Sequence, residues 1–215
     1  MREQVIELVL QTKLVAIVRG VYGQDCLNLA KALCEGGIRA LEVTFDQSNT
    51  ALWQKTADTI TLLNENLGER MVFGAGTVTT VELVNIAKNA GAKFIVSPDC
   101  EPNVIRATVE AGMVSMPGAL TPTEVLQAHK AGADFVKVFP AGTLGAAYMK
   151  AIAAPINHVR LLAVGGVNET NVADFMKAGA VGAGVGGNLV NKTWIAEGRF
   201  QDITALAKAF VAAVQ

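Results

Sequence analysis

"DFVKVFPAG", residues 134–142, reads as a buried β-strand except at Lys137, and the position of that charge decides how the rest of the chain is read. Successive side chains of a strand face opposite ways, so Phe135, Lys137 and Phe139 share one face while Val136 and Val138 share the other. Both faces are otherwise apolar, as expected of a strand in a parallel sheet that is covered on each side.

Working outward, similar runs occupy residues 14–20 (LVAIVRG), 40–45 (ALEVTF), 71–77 (MVFGAGT), 93–98 (KFIVSP), 114–118 (VSMPG), 160–166 (RLLAVGG) and 180–187 (AVGAGVGG), which makes eight strands with 134–140. Segments of helical period lie between them, among them residues 25–37, 80–91 and 121–132. A related phrase recurs where helix gives way to strand: EGGIRALEV, NAGAKFIVS, EAGMVSMPG, KAGADFVKV and KAGAVGAGV. Its glycine suits the position just past a helix, and its recurrence marks a repeated βα unit. Eight such units in 215 residues predict a single-domain (β/α)8 TIM barrel spanning residues 1–215. A doubly wound open sheet is the alternative, but the first strand ends in RGVYG with no GxGxxG phosphate loop.

Composition narrows the function classes. The chain is 51% hydrophobic, enough for a sizeable core, and its net charge of −1 gives no general attraction for nucleic acid or an anionic membrane. The expected partner is a small molecule. Cys26, Cys34 and Cys100 are odd in number and form no CxxC pair, which fits reduced, mostly buried thiols. Glu3, Glu7 and Lys13 interrupt the apolar N-terminal region, so it reads as neither signal peptide nor membrane span, and the expected location is the cytoplasm.

In a (β/α)8 barrel the active site is built from the C-terminal ends of the strands. Reading those ends yields Arg19, Glu42 and Thr44 ahead of Asp46, Thr77, Ser97-Pro98, Pro117-Gly118, Lys137, Gly165-Gly166 and Gly186-Gly187-Asn188. A lysine facing a barrel interior is desolvated, which lowers its pKa and makes a neutral amine available as a carbon nucleophile. Glu42 is likewise a charge inside an apolar strand, and the two suggest an acid/base couple. The chemically silent alternative is a structural Lys–Glu ion pair, which fills a core no better than apolar side chains do. Arg19 is either a solvated strand-end cation or a clamp on a carboxylate or phosphate. The glycine turns at 165–166 and 186–187 are either simple tight turns or a place where backbone N–H groups approach a phosphate. Asn168 is a candidate N-cap after the first of them. His129, on a predicted helix, and His158 have no metal-ligand spacing, and a magnesium site from Glu42, Asp46 and Asp99 is unnatural beside an inward lysine. No GxSxG elbow occurs.

Read in order, ALEVTF, GAGTVTTVELV, FIVSPD, MPGALTPTEV, FVKVFPAG and AVGGVNETNV resemble the strand-end motifs of the 2-keto-3-deoxy-6-phosphogluconate / 4-hydroxy-2-oxoglutarate aldolases, class I pyruvate aldolases. The resemblance runs from about residue 13 to 190. It implies a homotrimeric (β/α)8 enzyme that needs no metal or other cofactor, only a covalent imine. Lys137 matches the Schiff-base lysine and Glu42 the general acid/base. Arg19 and Thr77 match residues that hold the pyruvyl carboxylate, Pro98 and Phe139 line the pocket, and Gly165, Gly166, Gly186, Gly187 and Asn188 match the phosphate site. The implied reaction splits a 2-keto-3-deoxy-6-phospho sugar acid into pyruvate and glyceraldehyde 3-phosphate. The chain departs from the pattern at Asp46, where some members have arginine shortly after EVT. Two further departures are Ala163-Val164, where some have Pro-Thr, and Asn188, where serine is common. Outside this family, the residues leave two readings open: a noncatalytic sugar-acid-binding barrel, and a sugar-phosphate isomerase or epimerase.

Overall fold

Strands and helices alternate along the chain in the computed structural model, which describes residues 1–215. The strands are β1 (Leu14–Val18), β2 (Ala40–Thr44), β3 (Val72–Gly76), β4 (Phe94–Val96), β5 (Val114–Met116), β6 (Gly118–Ala119), β7 (Val136–Val138), β8 (Leu161–Val164) and β9 (Gly182–Val185). Every ladder is parallel, and β1 pairs with both β2 and β9, as a barrel requires. Nine strands appear instead of eight because the fifth predicted strand is divided at Pro117. Proline has no N–H to give a ladder. The ring is carried across this point by backbone bonds on both sides: Ser97 N–H donates to Met116 O at 3.3 Å and Lys137 N–H to Pro117 O at 2.8 Å. The architecture is the (β/α)8 barrel.

The surrounding helices are α2 (Gly23–Glu35), α3 (Trp53–Leu67), α4 (Val81–Asn89), α5 (Pro102–Glu110), α6 (Pro122–Lys130), α7 (Ala141–Ala153), α8 (Val172–Lys177), α9 (Lys192–Ala196) and α10 (Phe200–Val214). They are preceded by α1 (Arg2–Thr12). The recurring glycine does what its position predicts: Gly37, Gly91, Gly112, Gly132 and Gly179 all have φ between +77° and +105°. Each is followed by a residue whose N–H reaches back to close the helix, as Ala92 does to Ala87 O at 3.0 Å. Thr121 and Glu124 form a reciprocal capping box at the start of α6. Asn168 does not cap α8 directly. Its Oδ1 accepts from Thr170 and Asn171 N–H at 3.0 and 2.9 Å, tightening the turn before the helix begins at Val172.

The barrel interior is layered. Its lower part is apolar: Val15, Ala40, Phe94, Val114, Phe135 and Leu162 form one buried cluster with Val5, Ile6 and Val9 of α1. The helix α1 thus seals the bottom of the barrel, a role the sequence pattern did not single out. Arg2 fixes it there, donating to Asp134 at 2.7 and 3.2 Å, while the same carboxylate accepts from Ser115 N–H at 2.9 Å. Gly74 gives the Phe94 ring its space, since a Cβ there would meet the ring at 2.5 Å. The larger cluster lies between sheet and helices, where Leu41, Val43, Val136 and Val138 face outward. All three cysteines are unpaired, with Cys26 and Cys34 buried and Cys100 half-buried. No helix is long and apolar enough to cross a membrane.

Candidate active site

A cavity of about 620 Å³ opens at the C-terminal ends of the strands. On its wall lie Arg19, Glu42, Thr77, Pro98, Lys137, Phe139, Gly165, Gly166, Gly186, Gly187 and Asn188, whereas the other strand-end candidates Thr44, Asp46, Ser97, Pro117 and Gly118 do not line it. Six residues that were not expected complete it, namely Ile17, Val164, Val167, Gly184, Val190 and Lys192. Ile17, Val164 and Gly184 stand two residues before Arg19, Gly166 and Gly186, so period-2 alternation carried a signal for them. Val167, Val190 and Lys192 sit at or beyond the ends of strands, where no strand periodicity points inward.

Glu42 is centred on β2, opposite Ile17 of β1 and Gly74 of β3, and is 3% exposed. Gly76 makes room for its carboxyl: a Cβ at that position would come within 2.7 Å of Glu42 Oε2. The same Oε2 is buried without a hydrogen-bond partner, an oxygen at the cavity wall with nothing in the protein to satisfy it. Burial pushes the Glu42 pKa up to about 7, with Lys137 and then Arg19 pulling in the other direction. A carboxyl held there exchanges its proton near neutrality, as a general acid/base must.

Lys137 is 8% exposed. Burial is the main cause holding its pKa below the usual lysine value; Glu42 opposes the shift and Arg19 adds to it. Its Nζ lies 5.3 Å from the centre of the Phe139 ring. Lys137 and Glu42 share the cavity yet form no direct ion pair, unlike the four pairs elsewhere in the chain. A structural salt bridge therefore does not account for either charge.

The loops around this pair are packed through glycine. Phe139 lies against Gly165, where a Cβ would come 2.9 Å from the ring, and Gly142 N–H donates to Gly165 O at 2.6 Å. Asn188 Nδ2 donates to Val167 O at 2.8 Å, tying the loop after β9 to the loop after β8. Asn188 itself also lines the cavity. Thr77 has φ +56°, a conformation that costs a β-branched residue about 1–3 kcal/mol. Gln47 holds it, donating to Thr77 O at 2.7 Å while accepting from Thr79 Oγ1 at 3.1 Å. Asp46 is engaged locally, accepting from Ser48 N and Oγ at 2.9 and 2.6 Å, bonds that keep it below the usual carboxylate range. Glu42, Asp46 and Asp99 do not come together, and no group of three or more metal-ligating side chains is present. His129 and His158 are exposed and stack edge-on at 5.1 Å, away from the cavity.

The 2-dehydro-3-deoxy-6-phosphogalactonate aldolase of Escherichia coli K12 is 35% identical over 208 residues, covering 95% of this chain and 98% of the relative. The 2-dehydro-3-deoxy-phosphogluconate aldolase of Treponema pallidum is also 35% identical, covering 95% and 94%. A KDPG aldolase of Legionella pneumophila, solved with pyruvate captured as a covalent carbinolamine, superimposes with a TM-score of 0.84 at 26% identity, covering 95% of this chain and 97% of that one. The family model for KDPG and KHG aldolases matches residues 5–206, and with a buried amine, an orphaned carboxyl and this barrel the chain belongs to that family.

Proposed function

We propose that the chain is a class I aldolase that cleaves a 2-keto-3-deoxy-6-phospho sugar acid, of gluconate or galactonate configuration, to pyruvate and glyceraldehyde 3-phosphate. 4-Hydroxy-2-oxoglutarate, yielding pyruvate and glyoxylate, is a further substrate. The observation that carries this reading is the pairing of a desolvated Lys137 with an unsatisfied Glu42 carboxyl in one cavity, without an ion pair between them.

The roles follow from the chemistry. Neutral Lys137 Nζ attacks the C2 ketone, forming the N–C bond as the carbonyl π pair moves onto oxygen, and one amine proton passes to that oxygen to give the neutral carbinolamine. Protonated Glu42 delivers a proton to the carbinolamine hydroxyl, water leaves, and an iminium remains. Glu42, now a carboxylate, accepts the C4 hydroxyl proton. The C4–O bond gains double-bond character, the C3–C4 pair moves toward the iminium nitrogen, and the aldehyde departs. The enamine takes a proton back at C3 from Glu42, and water hydrolyses the imine to release pyruvate and Lys137. Arg19 and Thr77 hold the carboxylate, Pro98 and Phe139 flank the pyruvyl group, and the Gly165-Gly166 and Gly186-Gly187-Asn188 turns receive the phosphate. No metal or other cofactor takes part. Residues 1–215 act as one domain, in the cytoplasm, as a homotrimer, a state that light scattering in solution measures directly.

Borohydride reduction in the presence of pyruvate tests the reading: the protein gains the mass of a reduced pyruvyl adduct, and the modified peptide contains Lys137. Without an adduct the aldolase assignment fails and a noncatalytic binding barrel remains; turnover of a sugar phosphate without pyruvate release points to an isomerase or epimerase. Comparing cleavage rates of the gluconate and galactonate phosphates and of 4-hydroxy-2-oxoglutarate then fixes the substrate.

A further inference from the structure

Arg19 and Lys192 stand at the mouth of the cavity, and both also border a second hollow of about 350 Å³ beside it. They follow β1 and β9, which are neighbouring strands. Lys192 leans across the gap: its Nζ lies 3.2 Å from where a side chain would begin at Gly20. Neither cation joins any of the four ion pairs of the chain. The acid on the near side of the second hollow, Asp46, is bonded to Ser48 and forms no ion pair with them.

The charge balance of the cavity gives this placement a purpose. Its wall carries Arg19, Lys137 and Lys192 against the single acid Glu42. Arg19 and Lys192, which join no ion pair, are the cavity's cations outside the Lys137–Glu42 couple. The proposed substrate carries two anions, a carboxylate next to the reacting ketone and a phosphate at the far end. Arg19 is assigned to the first. The glycine turns supply N–H groups to the second but no countercharge, and Lys192 borders the cavity together with Gly186, Gly187 and Asn188.

We propose that Lys192 is the countercharge for the terminal phosphate and sets the preference for phosphorylated over unphosphorylated 2-keto acids, an inference that rests on the aldolase reading above. An ammonium–phosphate contact at a partly solvated site is a charge-assisted hydrogen bond whose loss costs roughly 10- to 100-fold in affinity. The experiment compares wild type, Lys192→Met and Lys192→Arg by KM for a 2-keto-3-deoxy-6-phospho sugar acid and for 4-hydroxy-2-oxoglutarate, with inorganic phosphate as a competitive inhibitor. In Lys192→Met the KM for the phosphorylated substrate and the phosphate inhibition constant rise together by roughly 10- to 100-fold, far more than the KM for 4-hydroxy-2-oxoglutarate, and Lys192→Arg restores most of the difference. Equal changes for both substrates, or no change for either, overturn the assignment while pyruvate trapping on Lys137 keeps the aldolase reading intact. Loss of trapping in the wild type overturns both.

Discussion

The two ends of the barrel are made from the same strands and do opposite things. At the bottom, Ala40, Phe135 and Val15 close on α1 in an apolar layer, with the Arg2–Asp134 pair anchoring α1 there. Two residues further along the same strands stand Glu42, Lys137 and Ile17, and two beyond these lie Thr44, Phe139 and Arg19. One step of the pleat thus separates a sealed core from an open, charged cavity. The lower layer supplies the rigidity against which the upper one can hold an unpaired acid and amine. Buried groups of that kind persist only when the surrounding packing over-determines them.

The strongest way to break the contrast is at the top. Lys137→Ala should abolish pyruvate trapping and lower turnover by roughly four orders of magnitude or more, as loss of a covalent nucleophile does, while the melting temperature holds or rises. A variant that still traps pyruvate at another residue removes Lys137 from its role. Glu42→Gln should reduce kcat by about 10²- to 10⁴-fold. It also tests the electrostatics. Between pH 4.5 and about 7 the folded protein keeps a proton that unfolded chains have released, so stability falls as pH rises through that window. The amide of the Glu42→Gln variant has no such proton to lose, so the variant should be the more stable by up to roughly 3 kcal/mol at pH 8, with the advantage gone near pH 4. Denaturant titrations at both pH values that give the same difference would falsify the raised pKa.

At the bottom the effects should reverse. Phe94→Ala should cost about 3–5 kcal/mol, because Gly74 beside it has no side chain to fill the space, yet kcat at a temperature where the variant stays folded should remain within a fewfold. A large fall in kcat would show that the two layers are not separable. The smallest effect expected is Arg2→Met, about 1 kcal/mol by thermal or chemical unfolding, since the Asp134 partner is largely buried but Arg2 is 31% exposed.

Much of this contrast was legible in the residues. The βα repeat could be read because five glycines each stop a helix in the left-handed region, and the cavity residues because strand ends are where this fold puts function. The apolar plug escaped because only Gln11, Thr12 and Lys13, the last at φ +61°, separate the apolar positions Val5, Ile6, Val9 and Leu10 of α1 from LVAIV of β1. Pro117 splits a strand that hydropathy alone reads as continuous, for want of one N–H. Gly76 looks like any strand glycine until the carboxyl it accommodates is placed beside it. Lys192 sits just past a loop, at the start of a short helix, where charge is ordinary and only its approach to Gly20 distinguishes it.

The helix that seals the barrel also has a consequence in time. Its anchor Arg2 pairs with Asp134, 132 positions away, and the Lys13 ammonium at its end donates to Val214 O, 201 positions away, at 2.6 Å. Strand β1 gains its second neighbour only from β9, through pairs such as Leu14 with Ala183. During synthesis the first strand to be made therefore waits for the last, with its apolar inner face uncovered in the meantime. A ring closed by such distant pairings folds slowly and exposes partly built edges as it does so, which makes the interval before closure the period when this chain is most open to aggregation.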